Sequence, residues 1–506
     1  MTLRETVSLR SIDSARRTLF TTSSLSASEV ADRCGDDCYS YFFVQRAFLP
    51  LLERWAAVEE VSDSSENLQR AFAGATRAGK SAVHLSFLPL QYFQFLDGAT
   101  NVAFPFWEYP DIPNYDVAGN PRNNWVRMAD CLDLIFTACN FTRDSFLRAG
   151  VQTPLEVVSV PIADRYFDVP AWEADQRVTL DCPCYRLPQG DPPGLYQFAE
   201  RAARRASMQA REQVRGIYRR NVRPLLPGSV HKRLANTSHV MIGKEPEPVA
   251  PTPVVQFPIP YAPSDGVELS GVVYTTILNP FDIRKNWRGI VDSFLRAVGD
   301  AEDATLVIKL AVSQRMRQEA LHNLLHFYRR LRLRHRAQVY VISDYLSDEQ
   351  MCELTRGTTF YLNASHAEGA CLPLQDSLAA GRPGVAPAHT AMAEYIDSDV
   401  AFVVPSRAEP IHWQWDPERR RTTTWQHMRR RDLVSQIRAS YQTARNDLAK
   451  YQAMALRGRQ RMYDLAGTEN VWARLSAALN ALEASPALAP QCVQLQANPL
   501  PRRQAA

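Results

Sequence analysis

The sequence predicts an α/β protein with two lobes, each built on a parallel sheet. Short continuous apolar runs recur in both halves of the chain, and such runs are typical of strands that a parallel sheet buries on both faces. Helical segments separate these runs, which is the spacing of parallel strands joined by crossover helices. With 506 residues, 45% of them hydrophobic, the chain is long enough to form two large domains.

Composition shifts along the chain predict where the parts begin and end. The predicted parts are a first lobe at 1–163, a Pro- and Arg-rich insertion at 164–269, a second lobe at 270–431, terminal helices at 432–482 and a flexible tail at 483–506.

The first half contains four predicted strands and two predicted helices. The strands lie at 83–89, at the start of 101–113, at 134–140 and at 157–162. Helices are predicted at 125–134 and after residue 141, the second with Thr142 as its N-cap and Gly150 as its stop.

The second half continues the alternation of strands and helices. Strands are predicted at 271–280, 305–311, 337–343 and 360–365. Helices are predicted at 287–298, at 316–331 and after Ser347, whose hydroxyl precedes two acids as an N-cap should. The segment 432–482 has long helical periodicity.

The most informative segment for function is 365–396, which follows the last of these strands. It places Glu368 in a loop, Pro373 at the start of a short helix and Asp376 inside that helix, which ends at Gly381. Loop amides beside the positive end of a helix dipole form a seat for a phosphate. Two acids beside an anion seat are expected only if the ligand also carries hydroxyl groups. A nucleotide sugar has both features.

This segment resembles the donor-binding signature of the family-four retaining glycosyltransferases of GT-B fold, the bacterial polysaccharide-type group 1 enzymes. In that signature, Glu, seven residues and a second Glu surround a Gly-Phe-Gly-Leu-Pro-like turn. Glu368, Gly369, Leu372 and Pro373 match the pattern. Asp376 replaces the second Glu. Cys371 replaces the second Gly, which predicts that this turn position needs no positive φ.

The resemblance implies two Rossmann-like lobes that face a cleft, with a C-terminal helix that crosses back to the first lobe. It implies that Glu368 contacts hydroxyls of the transferring sugar and that Asp376 accepts hydrogen bonds from the ribose. The amides of Gly369, Ala370, Cys371 and Leu372 would hold the phosphates. Asp344 lies where the base is usually met by backbone groups.

A basic pair, Arg284 and Lys285, follows the first strand of the second lobe, where the family keeps its phosphate-binding pair. The family's arginine usually lies several residues before the lysine, and that place falls near Asn279 and Pro280 here. Lys285 is therefore the better match of the two.

Several other polar residues have both a functional and a structural interpretation. Glu108 follows Trp107 in a predicted loop on the acceptor side, where it would orient an acceptor hydroxyl or form an ordinary ion pair. Glu394 matches a family Glu but is predicted to be a structural cap. His84 is predicted to be a core residue, and 397–399 is predicted to be a turn rather than a metal motif.

Composition excludes several classes of function. The net charge of +4 is too small for a general nucleic-acid binder, and no run of about twenty apolar residues predicts a membrane span. The charged first 25 residues argue against a secretory signal. Nine scattered cysteines with no metal-like spacing predict reduced thiols in a cytoplasmic protein, and no metal or other cofactor is expected.

The centre of the insertion is strongly basic, with ten Arg or Lys against two Glu between 195 and 234. One hypothesis is that it docks on anionic lipid headgroups at the inner face of the cell membrane. The alternative is a solvated helix or a flexible segment. The basic clusters at 419–421 and 429–431 flank the segment 422–425 in a predicted long loop.

The resemblance therefore predicts a retaining transferase that moves a sugar from a nucleoside diphosphate to a glycan or lipid-linked glycan acceptor, in cell-envelope polysaccharide synthesis. Two alternatives stay open. One is a GT-B nucleotide-sugar epimerase, which needs no acceptor. The other is a catalytically degenerate sugar-binding or assembly subunit, which the replacements at Asp376 and Cys371 suggest.

Overall fold

The computed structural model describes residues 17–61, 65–189, 263–413, 416 and 419–484. The basic centre of the insertion and the tail beyond 484 lie outside these ranges. Within them, no helix has both the length and the apolar character needed to cross a bilayer. The chain divides into two compact units, and both lobes belong to the unit formed by Met1–Gln189, Pro263–Phe327 and His335–Ala506. Among the described residues, Tyr328–Arg334 fall outside this unit.

The first lobe contains a six-stranded sheet in which every neighbouring pair is parallel, in the order β2-β1-β3-β4-β5-β6. Its core forms where apolar strand residues face the helices, as Leu19 and Phe20 do with 0% exposure. The strands are β1 (Arg17–Thr22), β2 (Ala57–Glu60), β3 (Ser81–Ser86), β4 (Thr100–Ala103), β5 (Leu134–Thr137) and β6 (Leu155–Val157).

The predicted strand at 157–162 is wrong, because β6 ends at Val157. The residues that follow are apolar for a different reason: Val158 and Val160 are buried in the first-lobe core as the chain leaves the sheet. Pro161 has no N–H group to donate to a neighbouring strand, so it does not extend the sheet. The backbone N–H of Ile162 donates to the carbonyl of Ala466, in the terminal helices, over 2.9 Å.

The described residues up to 167 contain six α-helices. The predicted helix at 125–134 is shorter in the structure, since it ends at Ala129. The prediction of Thr142 as an N-cap is wrong: the helix begins at Asn140, and the Thr142 hydroxyl donates to the carbonyl of Trp107 over 3.0 Å. The helices are α1 (Val30–Arg33), α2 (Ser40–Leu52), α3 (Ser65–Arg77), α4 (Trp125–Ala129), α5 (Asn140–Arg148) and α6 (Asp164–Phe167).

The second lobe contains a seven-stranded sheet in the order β15-β14-β13-β10-β11-β12-β8, parallel except at β8. The carboxyl ends of its parallel strands form one edge, where ligands of open α/β sheets bind. The parallel strands are β10 (Val272–Leu278), β11 (Ala304–Leu310), β12 (Gln338–Ile342), β13 (Phe360–Leu362), β14 (Gly384–Ala386) and β15 (Ala401–Val403). The helices between them are α7 (Trp287–Val298), α8 (Arg317–Leu331), α9 (Asp348–Gly357) and α10 (Leu372–Ala379).

Both ends of the predicted insertion belong to the second lobe. Strand β7 (Arg177–Leu180) pairs with β9 (Val267–Ser270), and β8 (Tyr185–Arg186) pairs with β12. Cys184 and Ser264 exchange two backbone hydrogen bonds of 3.0 and 2.9 Å. The segment that leaves the lobe is therefore shorter than the predicted 164–269.

A β-hairpin follows the second sheet. Its strands, β16 (Ser406–His412) and β17 (Thr422–Met428), pair antiparallel along their whole length. The prediction of a long loop around 422–425 is therefore wrong. Trp413, beyond β16, is buried with Trp107 and Trp125 of the first lobe.

Three helices complete the described chain: α11 (Arg430–Asn446), α12 (Leu448–Ala466) and α13 (Thr468–Ala484). Val471, Leu475 and Leu479 of α13 are at most 1% exposed and belong to the first-lobe core. The prediction of a terminal helix that crosses back to the first lobe is confirmed.

Candidate active site

The loop between β13 and α10 carries the predicted signature. Glu368 is 3% exposed at its centre. The prediction for Cys371 is wrong: this residue adopts the left-handed conformation, with φ 63° and ψ 57°. A side chain in that conformation costs roughly 1–2 kcal/mol. The thiol is buried and accepts a hydrogen bond from the Asn363 amide over 3.1 Å, so local contacts offset the strain.

Glu368 forms the centre of an ion-pair cluster. Lys285 Nζ lies 2.7 Å from its Oε1 and 3.0 Å from its Oε2. Arg284 Nη1 lies 3.1 Å from Oε2 and also donates to the carbonyl of Ala367 over 2.6 Å. The structure thus brings together three residues that the sequence assigned to one site, although 83 residues separate Lys285 from Glu368.

Arg284 extends the cluster to the first lobe. Its Nη2 lies 3.2 Å from Glu108 Oε1 and 2.8 Å from Asp282 Oδ2. Sequence reasoning missed Asp282, whose carboxylate also caps the turn that presents the basic pair by accepting from the N–H of Arg284 over 3.0 Å. The cluster therefore contains three carboxylates and two cations.

Burial and charge act in opposite directions on these groups. Burial alone would raise the pKa of Glu368, but the charges of Lys285 and Arg284 outweigh it and lower that pKa to about 2. For Arg284, burial alone would lower the pKa, but Glu108, Asp282 and Glu368 raise it well above its usual value. Burial raises the pKa of Glu108, and the charge of Arg284 partly opposes this.

The backbone beside Glu368 carries free donors. Within the described ranges, the N–H groups of Gly369, Ala370, Cys371 and Leu372 donate to no acceptor. These four amides lie at the N-terminal end of α10, where the helix dipole favours an anion. A diphosphate would supply the acceptors that they lack.

The same loop packs on the first lobe. A Cβ atom on Gly369 would lie 3.2 Å from the carbonyl oxygen of Trp107, so only glycine allows this approach without movement. Ala370 belongs to the first-lobe core, and the Cys139 thiol donates to the carbonyl of Gly369. The two lobes are therefore in direct contact at the signature loop.

A turn after β14 holds Glu368 from the other side. The N–H of Glu368 donates to Thr390 Oγ1 over 3.0 Å, and the N–H of Ala391 donates to the carbonyl of Glu368 over 3.2 Å. His389 precedes Thr390 and is 6% exposed. Sequence reasoning missed both residues. The available signal was a pair of polar residues shortly after a buried strand, at the carboxyl edge of a parallel sheet.

Asp376 and Asp344 lie apart from the cluster. Asp376 lines a small cavity of about 10 Å³ with Tyr166, Thr275 and Tyr361, and burial raises the pKa of Asp376 to about 7. Asp344 follows β12 and forms an ion pair with Arg317. The structure contains no contact between either residue and Glu368.

The remaining candidates are structural. Glu394 accepts hydrogen bonds from the Asn140 amide and the N–H of Phe141, both over 2.9 Å, so it caps α5 as predicted. His84 is a core residue with 0% exposure, and burial lowers its pKa to about 4. Asp397 pairs with Arg461.

Seven cysteines in the described ranges are free thiols. Among the residues that the structure describes, no three His, Cys, Asp or Glu side chains are grouped to hold a metal ion.

No protein-family model and no curated protein sequence matches this chain. Its structure is similar to that of Anabaena HepE in complex with UDP and glucose (9% identity, TM-score 0.51, 92% of this chain and 100% of that one). It is also similar to sucrose-phosphate synthase from Thermosynechococcus elongatus (12% identity, TM-score 0.51, 93% of this chain and 100% of that one). A third similar structure is a glycosyltransferase from Rickettsia africae (10% identity, TM-score 0.50, 93% of this chain and 100% of that one). At these identities the likeness establishes the fold, which is GT-B, as predicted.

Proposed function

We propose that this GT-B protein transfers a glycosyl group from a nucleoside diphosphate sugar to a glycan or lipid-linked glycan acceptor. The observation that carries the proposal is the contact between Lys285 and Glu368 beside four amides without acceptors. A cation and free N–H groups suit the diphosphate, whereas a buried carboxylate suits the hydroxyls of the sugar. The similar structures support this, since the HepE complex contains UDP and glucose.

The chemistry needs stabilisation of the departing diphosphate more than it needs a protein nucleophile. Lys285 and the amides of 369–372 would bind the negative charge as it develops, and preorganised donors of this kind are usually the largest catalytic term. Glu368 would orient the sugar through its hydroxyls. We propose anomeric retention, with the leaving phosphate oxygen assisting the incoming hydroxyl on the same face.

The other assignments complete the proposal. Glu108 approaches the cluster from the first lobe and would orient the acceptor hydroxyl. Asp376 would accept from the ribose, and Asp344 would lie near the base. Since the cavity beside Asp376 is only about 10 Å³, binding of a nucleoside there requires movement of the surrounding side chains or of the lobes. We further propose a role in envelope polysaccharide synthesis, with the basic insertion at an anionic membrane surface.

The experiment combines donor binding with turnover. Thermal unfolding is measured with a panel of nucleoside diphosphate sugars, because a ligand at a hundredfold its Kd adds about 2.7 kcal/mol to stability. Release of nucleoside diphosphate is then measured for wild type, Lys285→Ala and Glu368→Gln. We expect both variants to lose roughly 10²–10³-fold in kcat/KM.

The matched control is the exposed pair of Arg336 and Glu302, 3.3 Å apart, whose single neutral variants should keep wild-type turnover. Wild-type turnover in Lys285→Ala or Glu368→Gln would contradict the proposal. Product analysis separates the alternatives: an epimerase converts donor without acceptor, and a sugar-binding subunit binds donor without turnover. The replacements at Asp376 and Cys371 favour the second of these. The anomeric configuration of the product tests retention.

A further inference from the structure

We infer that Nε2 of His389 hydrogen-bonds a hydroxyl of the glycosyl group that the donor carries, so that His389 helps to select the sugar. This inference rests on the proposed function. It concerns a residue that the donor signature does not include, and four observations support it.

The first observation is an unsatisfied buried nitrogen. His389 is 6% exposed, and its Nδ1 lies 3.2 Å from Thr390 Oγ1. Its Nε2 is buried and makes no hydrogen bond within the geometric limits in the described part of the chain, although the backbone of Ser365 is near enough to the imidazole to raise its pKa. Leaving such a group unpaired costs about 1–3 kcal/mol. A ligand hydroxyl would remove that cost.

The second observation is the position of the imidazole beside Glu368. Thr390 Oγ1 accepts from the N–H of Glu368 and lies next to the imidazole, so a single hydroxyl joins the two residues. The charge of Glu368 also opposes the effect of burial, which lowers the pKa of His389 to about 4. The imidazole is therefore neutral at pH 7 and lies near the carboxylate proposed to contact the sugar.

The third observation concerns the direction of the hydrogen bonds. The Thr390 hydroxyl accepts from the Glu368 amide, which leaves its own hydrogen available to Nδ1 of His389. A neutral imidazole that accepts at Nδ1 carries its proton on Nε2. In that tautomer Nε2 donates to the sugar hydroxyl, and in the other tautomer Nε2 accepts from it, so either form can bind a hydroxyl group beside an acceptor-only carboxylate.

The fourth observation is backbone strain on both sides of Glu368. Thr390 has φ 50° and Cys371 has φ 63°. A β-branched residue is a strong outlier in this region, and such outliers cluster at functional sites. Glycine would remove the strain at position 390 but would also remove the hydroxyl that joins His389 to Glu368.

The neighbouring histidine is already occupied. His366 Nδ1 lies 2.8 Å from the carbonyl of Gln426, and its ring packs against Trp425 at an angle of 33° with centroids 4.2 Å apart. The N–H of Gln426 also donates to the carbonyl of His366. His366 therefore contacts the hairpin through Nδ1, whereas the buried nitrogen without a partner belongs to His389.

The experiment combines substitutions of His389 with donor analogues that each lack one hydroxyl of the sugar. Steady-state kinetics are measured for wild type, His389→Ala and His389→Gln with the parent nucleotide sugar and with each monodeoxy analogue. We expect His389→Ala to lower kcat/KM by about 10-fold with the parent donor, because one hydrogen bond is lost. With the analogue that lacks the contacted hydroxyl, the same substitution should have almost no effect.

Two further variants separate recognition from folding. His389→Gln keeps a donor of similar reach, and Thr390→Ser keeps the hydroxyl, so both should retain most of the discrimination between donors. His412→Ala, on the exposed strand β16, is the matched control and should behave as wild type. A loss in His389→Ala that is equal for every deoxy donor would overturn the inference, while Lys285-dependent turnover would leave the proposed function intact. Absence of turnover in wild type would overturn both.

Discussion

At the scale of single residues, Glu368 is a buried charge rather than a proton donor. Its carboxylate is 3% exposed, yet the charges of Lys285 and Arg284 lower its pKa to about 2. A carboxyl group with that pKa carries no proton at neutral pH and cannot act as a general acid. It can accept hydrogen bonds from hydroxyls, which is the role that the proposed mechanism gives it.

Asp376 presents the opposite case, and its substitution should change stability with pH. Burial raises the pKa of Asp376 from 3.8 to about 7, so the folded protein binds the proton more tightly than the unfolded chain. The contribution of Asp376 to the free energy of unfolding is therefore fully present at low pH, and it decreases as the pH rises from about 4 to about 7. Asp376→Asn should be more stable than wild type at pH 8, on the order of 1–3 kcal/mol.

Urea unfolding of Asp376→Asn and wild type at pH 5 and pH 8 tests this prediction. The difference between the two proteins should be small at pH 5 and large at pH 8. Equal stability at both values would show that the carboxyl group is solvated. If Asp376 contacts the ribose, the more stable variant should also bind donor more weakly, which is a common conflict between stability and function.

The residues of the site could be predicted only in part. Lys285 and Glu368 were identified through the resemblance to the family's donor-binding signature, and each lies after a recognisable strand of one parallel sheet. The left-handed conformations of Cys371 and Thr390 could not be predicted, since neither residue favours positive φ and tertiary contacts impose it. His389 was missed for a related reason: its importance depends on an unpaired nitrogen, which is visible only after folding.

At the scale of elements, α13 is the element whose packing has the clearest energetic consequence. Leu475 is 1% exposed in the first-lobe core, whereas Leu456 of α12 is 70% exposed. Leu475→Ala should destabilise the protein by about 2–5 kcal/mol, because it removes buried methyl groups and leaves a cavity. Leu456→Ala is the matched control and should change stability by less than about 0.5 kcal/mol.

Chemical denaturation monitored by fluorescence measures both variants, and similar stabilities would contradict the packing of α13 on the first lobe. The element scale also shows what sequence predicts best. Long apolar runs such as β10 and β11 were recognisable from composition alone. The hairpin was not, since its strand β16 is largely exposed and polar. The contacts that flank it, Trp413 in the first-lobe core and His366 with Gln426 of β17, join residues far apart in the sequence.

At the scale of the whole molecule, the ion-pair cluster around Arg284 joins the two lobes. Its charges predict which of two substitutions destabilises the protein more. Three carboxylates face two cations, so removing a cation increases an existing imbalance whereas removing an acid reduces it. Arg284→Ala should destabilise the protein by about 3 kcal/mol. Glu108→Ala should lower the free energy of unfolding by only about 1 kcal/mol or less, because Arg284 keeps Asp282 and Glu368 as partners.

Denaturation midpoints at pH 7.5 give the comparison, with Arg336→Ala as the exposed control that should change stability by less than about 0.5 kcal/mol. A larger loss in Glu108→Ala than in Arg284→Ala would contradict this view of the cluster. The same variants report on lobe contact, since small-angle scattering should show a larger radius of gyration for Arg284→Ala if this cluster holds the lobes together.

The paired hydrogen bonds between Cys184 and Ser264 determine how much the length of the chain between them matters to the second lobe. They hold side by side two residues that are 80 positions apart in the sequence. The entropic cost of closing a loop of that size grows only slowly with its length. Lengthening or shortening the chain after β8 is therefore expected to change the stability of the second lobe little, because the paired strands on either side stay as they are.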